Sequence, residues 1–244
     1  MNKILLLFDV DGTLTLPRLK ISQDMLNVLE DIYNNNVIDL GFVGGSDLNK
    51  QIEQLGDENM KLFEWKFTEN GLVSYHNHEL INKTSLIKFI GENNYQRLIN
   101  VCLNVLSNTT VPVKRGNFIE LRNGMINISP IGRSCSQEER DEFDSWDKIH
   151  KIREKIIHNI KNELPDLNLQ FSIGGQISID IFPQGWDKTY CLQFIDDKYK
   201  TIYFFGDKTT LGGNDYEIFN DSRVIGFNVK TYKDTIEILN KLLH

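Results

Sequence analysis

Five apolar residues in a row, Ile4-Leu5-Leu6-Leu7-Phe8, run up to the first acidic position at Asp9. A run without alternation fits a strand covered on both faces, as in a parallel sheet. Ser22 is a suitable helix N-cap, and Met25, Leu26, Leu29 and Ile32 then recur at helical spacing. A second apolar run, Ile38 to Val43, ends in Gly44-Gly45-Ser46-Asp47, and residues 48–55 return to the helical period. Strand, helix, strand, helix in this order implies parallel strands with helices on their faces. Between the first helix and the second strand, Asn34-Asn35-Asn36 reads as loop.

The pattern changes after Tyr75. Asn77-His78-Glu79 reads as a polar turn, and Ser85 to Leu106 as one helical stretch. Phe118 to Arg122 and Met125 to Ser129 flank Asn123-Gly124, a strong short-range hairpin signal. Setting Arg122 opposite Met125 puts Ile119, Leu121, Ile126 and Ile128 on a core face. Phe118, Glu120, Arg122, Asn127 and Ser129 fall on a mostly polar one. Ser136 to Glu139 fits a capping box, and residues 145–163 continue in helical style. A second hairpin around Gly174-Gly175 separates Ile177, Ile179 and Ile181 from Gln176, Ser178 and Asp180. Thr201 to Phe205 is a further buried run ending in Gly206-Asp207. Val224 to Val229 predicts a strand and Thr235 to Leu243 a helix. The expected architecture is therefore α/β. Residues 1–81 and 185–244 form a Rossmann-like core with a parallel sheet, and an α+β insertion with an antiparallel sheet occupies 82–184.

Composition narrows the classes. With 27 Lys+Arg against 34 Asp+Glu the net charge is −7, and 40% of the 244 residues are hydrophobic. That is globular composition, which excludes wholesale disorder, and the acidic balance disfavours sequence-independent nucleic-acid binding. The Ile4–Phe8 run is too short for a signal-peptide core or a membrane span. Cys102, Cys135 and Cys191 are odd in number, far apart and without metal-ligand spacing, which points to a reducing compartment and a soluble cytoplasmic protein. His76 and His78 flank the polar turn with no third ligand and read as exposed loop residues. Cys135 has no nearby His to activate it, and Lys114 and Arg115 read as structural.

The chemistry concentrates at Asp9-Val10-Asp11-Gly12-Thr13, directly after the first buried strand. Ligands of open α/β sheets bind beyond the carboxyl ends of the strands, so both carboxylates stand where reaction is expected. One can attack while the other handles protons, and Gly12 eases the turn between them. This segment resembles the first motif of haloacid-dehalogenase-type (HAD) phosphotransferases. Gly45-Ser46, Lys188, and Gly206-Asp207 with Gly213-Asn214-Asp215 follow in the order of that superfamily's remaining motifs. Longer strings are more specific. Phe8 to Thr15, Val43 to Asp47, Arg122 to Met125, Ser129 to Arg140 and Gly206 to Thr209 resemble eukaryotic-type phosphomannomutases, and the likeness covers nearly the whole chain.

The resemblance implies a HAD core with an inserted cap and the interconversion of mannose 6-phosphate and mannose 1-phosphate, supplying GDP-mannose synthesis. Asp9 would be the nucleophile, primed by a hexose 1,6-bisphosphate activator, and Asp11 the general acid/base. Ser46 would hold the transferring phosphoryl group and Lys188 would add fixed positive charge. Mg²⁺ would rest on Asp9, Asp207 and a main-chain oxygen of Asp11. Asp215 would support the metal from behind or orient Lys188, and Phe219 and Asp221 belong to a second cation loop. Arg18, Arg122, Arg133 and Arg140 would hold phosphate, and Ser178 and Asp180 the sugar hydroxyls. Arg133 and Arg140 are seven apart, two helical turns if the helix starts early. The implied partners are hexose phosphates and a second copy joined through the cap, with no nucleic acid or membrane. A capped sugar-phosphate phosphatase needs the same residues around Asp9, and a non-catalytic sugar-phosphate binder would keep the fold alone.

Overall fold

A computed structural model describes residues 3–35 and 37–243; of the expected Asn34–Asn36 loop, Asn36 lies outside the described residues. In chain order the first elements are β1 (Ile4–Phe8), α1 (Gln23–Tyr33), β2 (Ile38–Val43), α2 (Leu48–Leu55), β3 (Trp65–Thr68), β4 (Val73–His76) and β5 (Glu79–Lys83). Then follow α3 (Leu86–Ile90), α4 (Glu92–Ser107), β6 (Ile119–Leu121), β7 (Ile126–Ile128), α5 (Gln137–His150), α6 (Ile152–Glu163), β8 (Leu169–Gly174) and β9 (Ser178–Pro183). The chain finishes with a 3-10 helix (Lys188–Phe194), β10 (Thr201–Gly206), α7 (Tyr216–Phe219), β11 (Ile225–Asn228) and α8 (Tyr232–Leu243). It divides into two compact units, Met1–Lys83 with Trp186–His244, and Thr84–Gly185.

The first unit holds a seven-stranded sheet in the order β11-β10-β1-β2-β3-β4-β5. Its first five strands are mutually parallel, β4 pairs antiparallel with β3, and β5 antiparallel with β4. The central strand β1 alternates between two apolar layers, which is why its sequence shows no polar position. Leu6 and Phe8 pack with Met25, Leu29, Ile32, Phe42 and Leu239 on one face. Leu5 and Leu7 pack with Val43, Trp65, Phe67, Leu192 and Phe204 on the other. The carboxyl ends of β1, β2 and β10 therefore open onto the same edge of the sheet, followed by Asp9, Gly44 and Asp207 respectively.

Strands β3 to β5 escaped the hydrophobic pattern because β3 and β4 are short and carry polar residues inside, and β5 is an exposed edge strand. Lys66 in β3 is buried, yet its Nζ is satisfied by the carbonyls of Phe63 (2.6 Å) and Asn77. His76 is not a loop residue: it ends β4, its Nε2 lies 2.7 Å from Glu64 Oε1, and its ring sits 4.3 Å from that of Trp65. Helices read as continuous are also broken. Gly91, at φ +79°, separates α3 from α4. Lys151, at φ +54°, separates α5 from α6 because the buried Asp147 carboxylate accepts the amides of Ile152 (2.6 Å) and Arg153 (3.2 Å). That side chain starts a new helix from five residues away, a signal that apolar spacing does not contain.

The second unit carries an antiparallel sheet in the order β6-β7-β9-β8. The Asn123-Gly124 hairpin has the expected register, Leu121 opposite Ile126, with the Arg122 amide donating to Met125 O at 2.8 Å. The other hairpin turns through 175–177 rather than on Gly174-Gly175, since Gly174 pairs with Ser178. Ile126, Ile128, Ile179 and Ile181 are fully buried. The opposite face is not simply a wet wall, because Asn127 and Ser129 are buried as well, while Leu121 on the edge strand is 48% exposed. Among the described residues no helix is long and apolar enough to cross a membrane, and all three cysteines are free and buried.

Candidate active site

The loop after β1 is a tight turn. The amides of Leu14 and Thr15 both donate to Val10 O (3.0 and 3.1 Å), and Gly12 N–H donates to Thr15 O at 2.8 Å. Gly12 holds φ +84°, and a Cβ there would stand 2.5 Å from Asp207 Oδ2. Only glycine lets this turn lie against the Asp207 carboxylate. Asp9 N–H donates to Phe205 O (2.9 Å), so the backbone of β1 runs in register into the turn and Asp9 is only 4% exposed.

Lys188 reaches this carboxylate from the 3-10 helix that Asp187 caps. Its Nζ donates to Asp9 Oδ1 and, at 2.5 Å, to Asp215 Oδ1, and all three side chains are buried. Burial alone would push the Lys188 ammonium down, but Asp9 and Asp215 outweigh it and raise it to about 12. Asp9 is pushed up to about 7, first by burial, then by Asp215 and Asp207, with Lys188 opposing. Asp215 uses its remaining oxygen, Oδ2, to accept the Lys208 amide at 3.0 Å. Both oxygens thus take protein donors.

Asp9, Asp207 and Asp215 each offer a carboxylate oxygen within 4.8 Å of the others. Three carboxylates face one ammonium, so the buried cluster carries an excess of negative charge. Asp207 Oδ1 is buried with no hydrogen-bond partner among the described residues. Burial, followed by the neighbouring Asp215, pushes the Asp207 carboxyl up against the pull of Lys208 and Lys188. An orphaned buried oxygen in an all-oxygen donor set fits a hard divalent cation such as Mg²⁺.

Asp11 is less buried. Its Oδ1 accepts the Arg18 amide and Gln54 Nε2, both at 2.8 Å. Ser46 is held by its backbone, whose carbonyl accepts the Glu69 amide at 3.0 Å. Asp9, Asp11 and Ser46 line one cavity of about 150 Å³, together with Gly44, Gly45, Gln51, Gln54, Lys208 and Asn214. Gln51 and Gln54 went unnoticed in the sequence. The available signal was a polar residue, Gln51, four positions before Leu55 on the buried stripe of α2. The Arg18 side chain is exposed. Phe219 ends α7, and the Asp221 carboxylate is engaged by Arg223 through Nε and Nη2, each at 2.8 Å.

The polar residues of the second unit form their own network. Glu120 pairs with Arg122 Nη2 and Arg133 Nε, each at 3.0 Å. Asn127 accepts from Arg133 Nη1 and donates to Asp180 Oδ1, both at 2.6 Å. Asn127 was noted only as part of a polar face, yet it joins the cationic and acidic halves of the cluster. Ser178 is buried next along β9. Arg140 does not stack with Arg133 along a helix, because α5 begins only at Gln137. Instead its Nη2 donates to the Arg133 carbonyl at 3.0 Å. Lys114 and Arg115 bind the Leu106 carbonyl (2.8 Å) and Glu139 Oε1 (2.7 Å).

Comparison with known proteins places this arrangement. A family model described as eukaryotic phosphomannomutase matches residues 25–244. A phosphomannomutase of Dendrobium officinale is 52% identical over 237 residues, covering 97% of this chain and 93% of its own. One of Saccharomyces cerevisiae is 52% identical over 241 residues, covering 98% and 94%. Among solved structures, the C-terminal domain of C. albicans trehalose-6-phosphate phosphatase aligns with a TM-score of 0.63 at 14% identity, over 99% of this chain and 92% of that one. At that identity the likeness is one of fold.

Proposed function

The chain belongs to the eukaryotic phosphomannomutase family, and from that premise we propose that it interconverts mannose 6-phosphate and mannose 1-phosphate through a phosphoaspartyl enzyme. The observation that carries this reading is Asp9: buried at a strand tip, gripped by Lys188, with Asp11 two residues on. A hexose 1,6-bisphosphate first phosphorylates Asp9. In the first transfer the free hydroxyl of the hexose monophosphate attacks that phosphorus, the bond to the Asp9 oxygen breaks, and Asp11 takes the hydroxyl proton. The bisphosphate so formed turns round; in the second transfer an Asp9 oxygen attacks its other phosphorus, the bond to the sugar oxygen breaks, and Asp11 gives that oxygen its proton.

Electrostatics is the obstacle. A carboxylate and one phosphate charge at 4 Å repel by roughly 4 kcal/mol at an effective dielectric of 20. Lys188 offsets part of this. Asp9, Asp207 and a main-chain oxygen of Asp11 would hold Mg²⁺, which supplies the remaining positive charge when bound. Ser46 offers a hydroxyl donor to the transferring group. We assign the second unit's Arg122, Arg133 and Arg140 to the phosphate that is not reacting, together with Arg18 of the first unit. Ser178 and Asp180 are assigned to the sugar hydroxyls. The reaction is placed in the cytoplasm, supplying GDP-mannose synthesis, with the chain acting as a homodimer through its second unit.

The deciding assay supplies Mg²⁺, mannose 1-phosphate and a trace of glucose 1,6-bisphosphate, and follows mannose 6-phosphate and inorganic phosphate together. Mannose 6-phosphate without free phosphate, abolished by a chelator and restored by Mg²⁺, is the expected result. Free phosphate would favour the phosphatase reading, and neither product a binding role.

Arg122→Ala separates substrate contact from fold maintenance. The side chain is 41% exposed and pairs with Glu120 at the surface, so its loss should change stability by no more than about 0.5 kcal/mol. The expected kinetic effect is about a tenfold rise in KM from the loss of a charge-assisted phosphate contact. An unchanged KM with a large drop in melting temperature would assign Arg122 to structure.

A further inference from the structure

Gln51 lies on α2, on the side that the helix buries with Leu55. It is 1% exposed, and neither its amide nitrogen nor its amide oxygen has a hydrogen-bond partner among the described residues. A buried amide stripped of water without replacement bonds destabilises the fold, and a leucine would suit the same helix position better. The same side chain lines the cavity shared by Asp9, Asp11 and Ser46. Gly44 makes room for it: a Cβ at that position would stand 2.6 Å from Gln51 Nε2.

We propose that Gln51 is a phosphoryl-binding residue, its Nε2 donating to an oxygen of the phosphoryl group held beside Ser46. The inference rests on the phosphotransfer reading above and adds a residue to that site. A phosphoryl group offers only acceptors toward the helix, so the amide supplies the N–H and the ligand supplies the partner that the free protein lacks. A neutral donor suits this wall of the cavity, because a carboxylate there would add to the repulsion from Asp9 and Asp207.

One substitution should act with opposite signs on stability and on binding. In Gln51→Leu, the unliganded protein should melt at a temperature equal to or above that of the parent, because an unpaired amide is gone. Its affinity for inorganic phosphate in the presence of Mg²⁺, measured by titration calorimetry, should fall about tenfold. Gln51→Met, similar in length, serves should the leucine variant fail to fold. Phosphate affinity equal to the parent's in either folded variant would overturn the proposal, whatever the melting temperature does. A parent protein that binds no phosphate would overturn it too. Failure of the mutase reading alone looks different: the parent binds phosphate, the variants lose it, and no mannose 6-phosphate is made.

Discussion

Asp9→Asn is expected to lower turnover by roughly 10⁴-fold or more, the scale seen when a covalent nucleophile is removed. The amide keeps the shape and can still accept from Lys188, but it cannot attack phosphorus. The fold should not suffer. Burial and the neighbouring Asp215 and Asp207 raise the Asp9 carboxyl from 3.8 to about 7. A carboxylate whose folded pKa lies above its unfolded one costs stability once the pH passes the unfolded value. The neutral amide removes that cost, so the variant should melt at or above the parent's temperature near neutral pH. Circular dichroism melts beside steady-state rates check both halves, and retained activity would end the covalent mechanism.

Lys188→Met should have the opposite balance, with a large loss of stability as well as of activity. Lys188 is 1% exposed and bridges two carboxylates that are themselves buried. Removing one partner of a buried ion pair leaves charge without compensation, at a cost of about 3–5 kcal/mol. The pH dependence follows from the direction of the Asp9 shift. Without the ammonium the folded Asp9 carboxylate binds its proton more tightly still, so the folded state holds more protons than the unfolded chain above the ordinary value of 3.8. Stability therefore falls as pH rises through that window. Urea unfolding without added metal should find the deficit smaller at about pH 5 than at about pH 8. A deficit that does not change with pH would mean that the lysine acts by packing alone.

Much of the catalytic edge was legible because its elements obey simple periods. β1 reads as buried on both faces since its alternate residues enter two apolar layers, and the acidic pair stands at its end. The Asn123-Gly124 turn fixed the register that puts Arg122 and Glu120 on one face with Asn127. What stayed hidden depends on individual hydrogen bonds that no hydrophobic period records. Asp147 restarts a helix by capping Ile152 and Arg153, and Lys66 survives inside a strand on two carbonyls. Gln54 meets Asp11 across 43 positions. Asp221 pairs with Arg223 two positions on, a local contact that makes no periodic pattern.

The central claim is that Asp9 carries the phosphoryl group. The direct measurement is to mix the protein with Mg²⁺ and glucose 1,6-bisphosphate, quench in acid, reduce with tritiated borohydride, which converts an acyl phosphate to the alcohol and releases its phosphate, and locate the tritium by peptide mapping. Tritium at Asp9, as homoserine, and none in Asp9→Asn, is the predicted result. Turnover of mannose 1-phosphate with no tritium at Asp9, or with tritium on another acidic side chain, would contradict it.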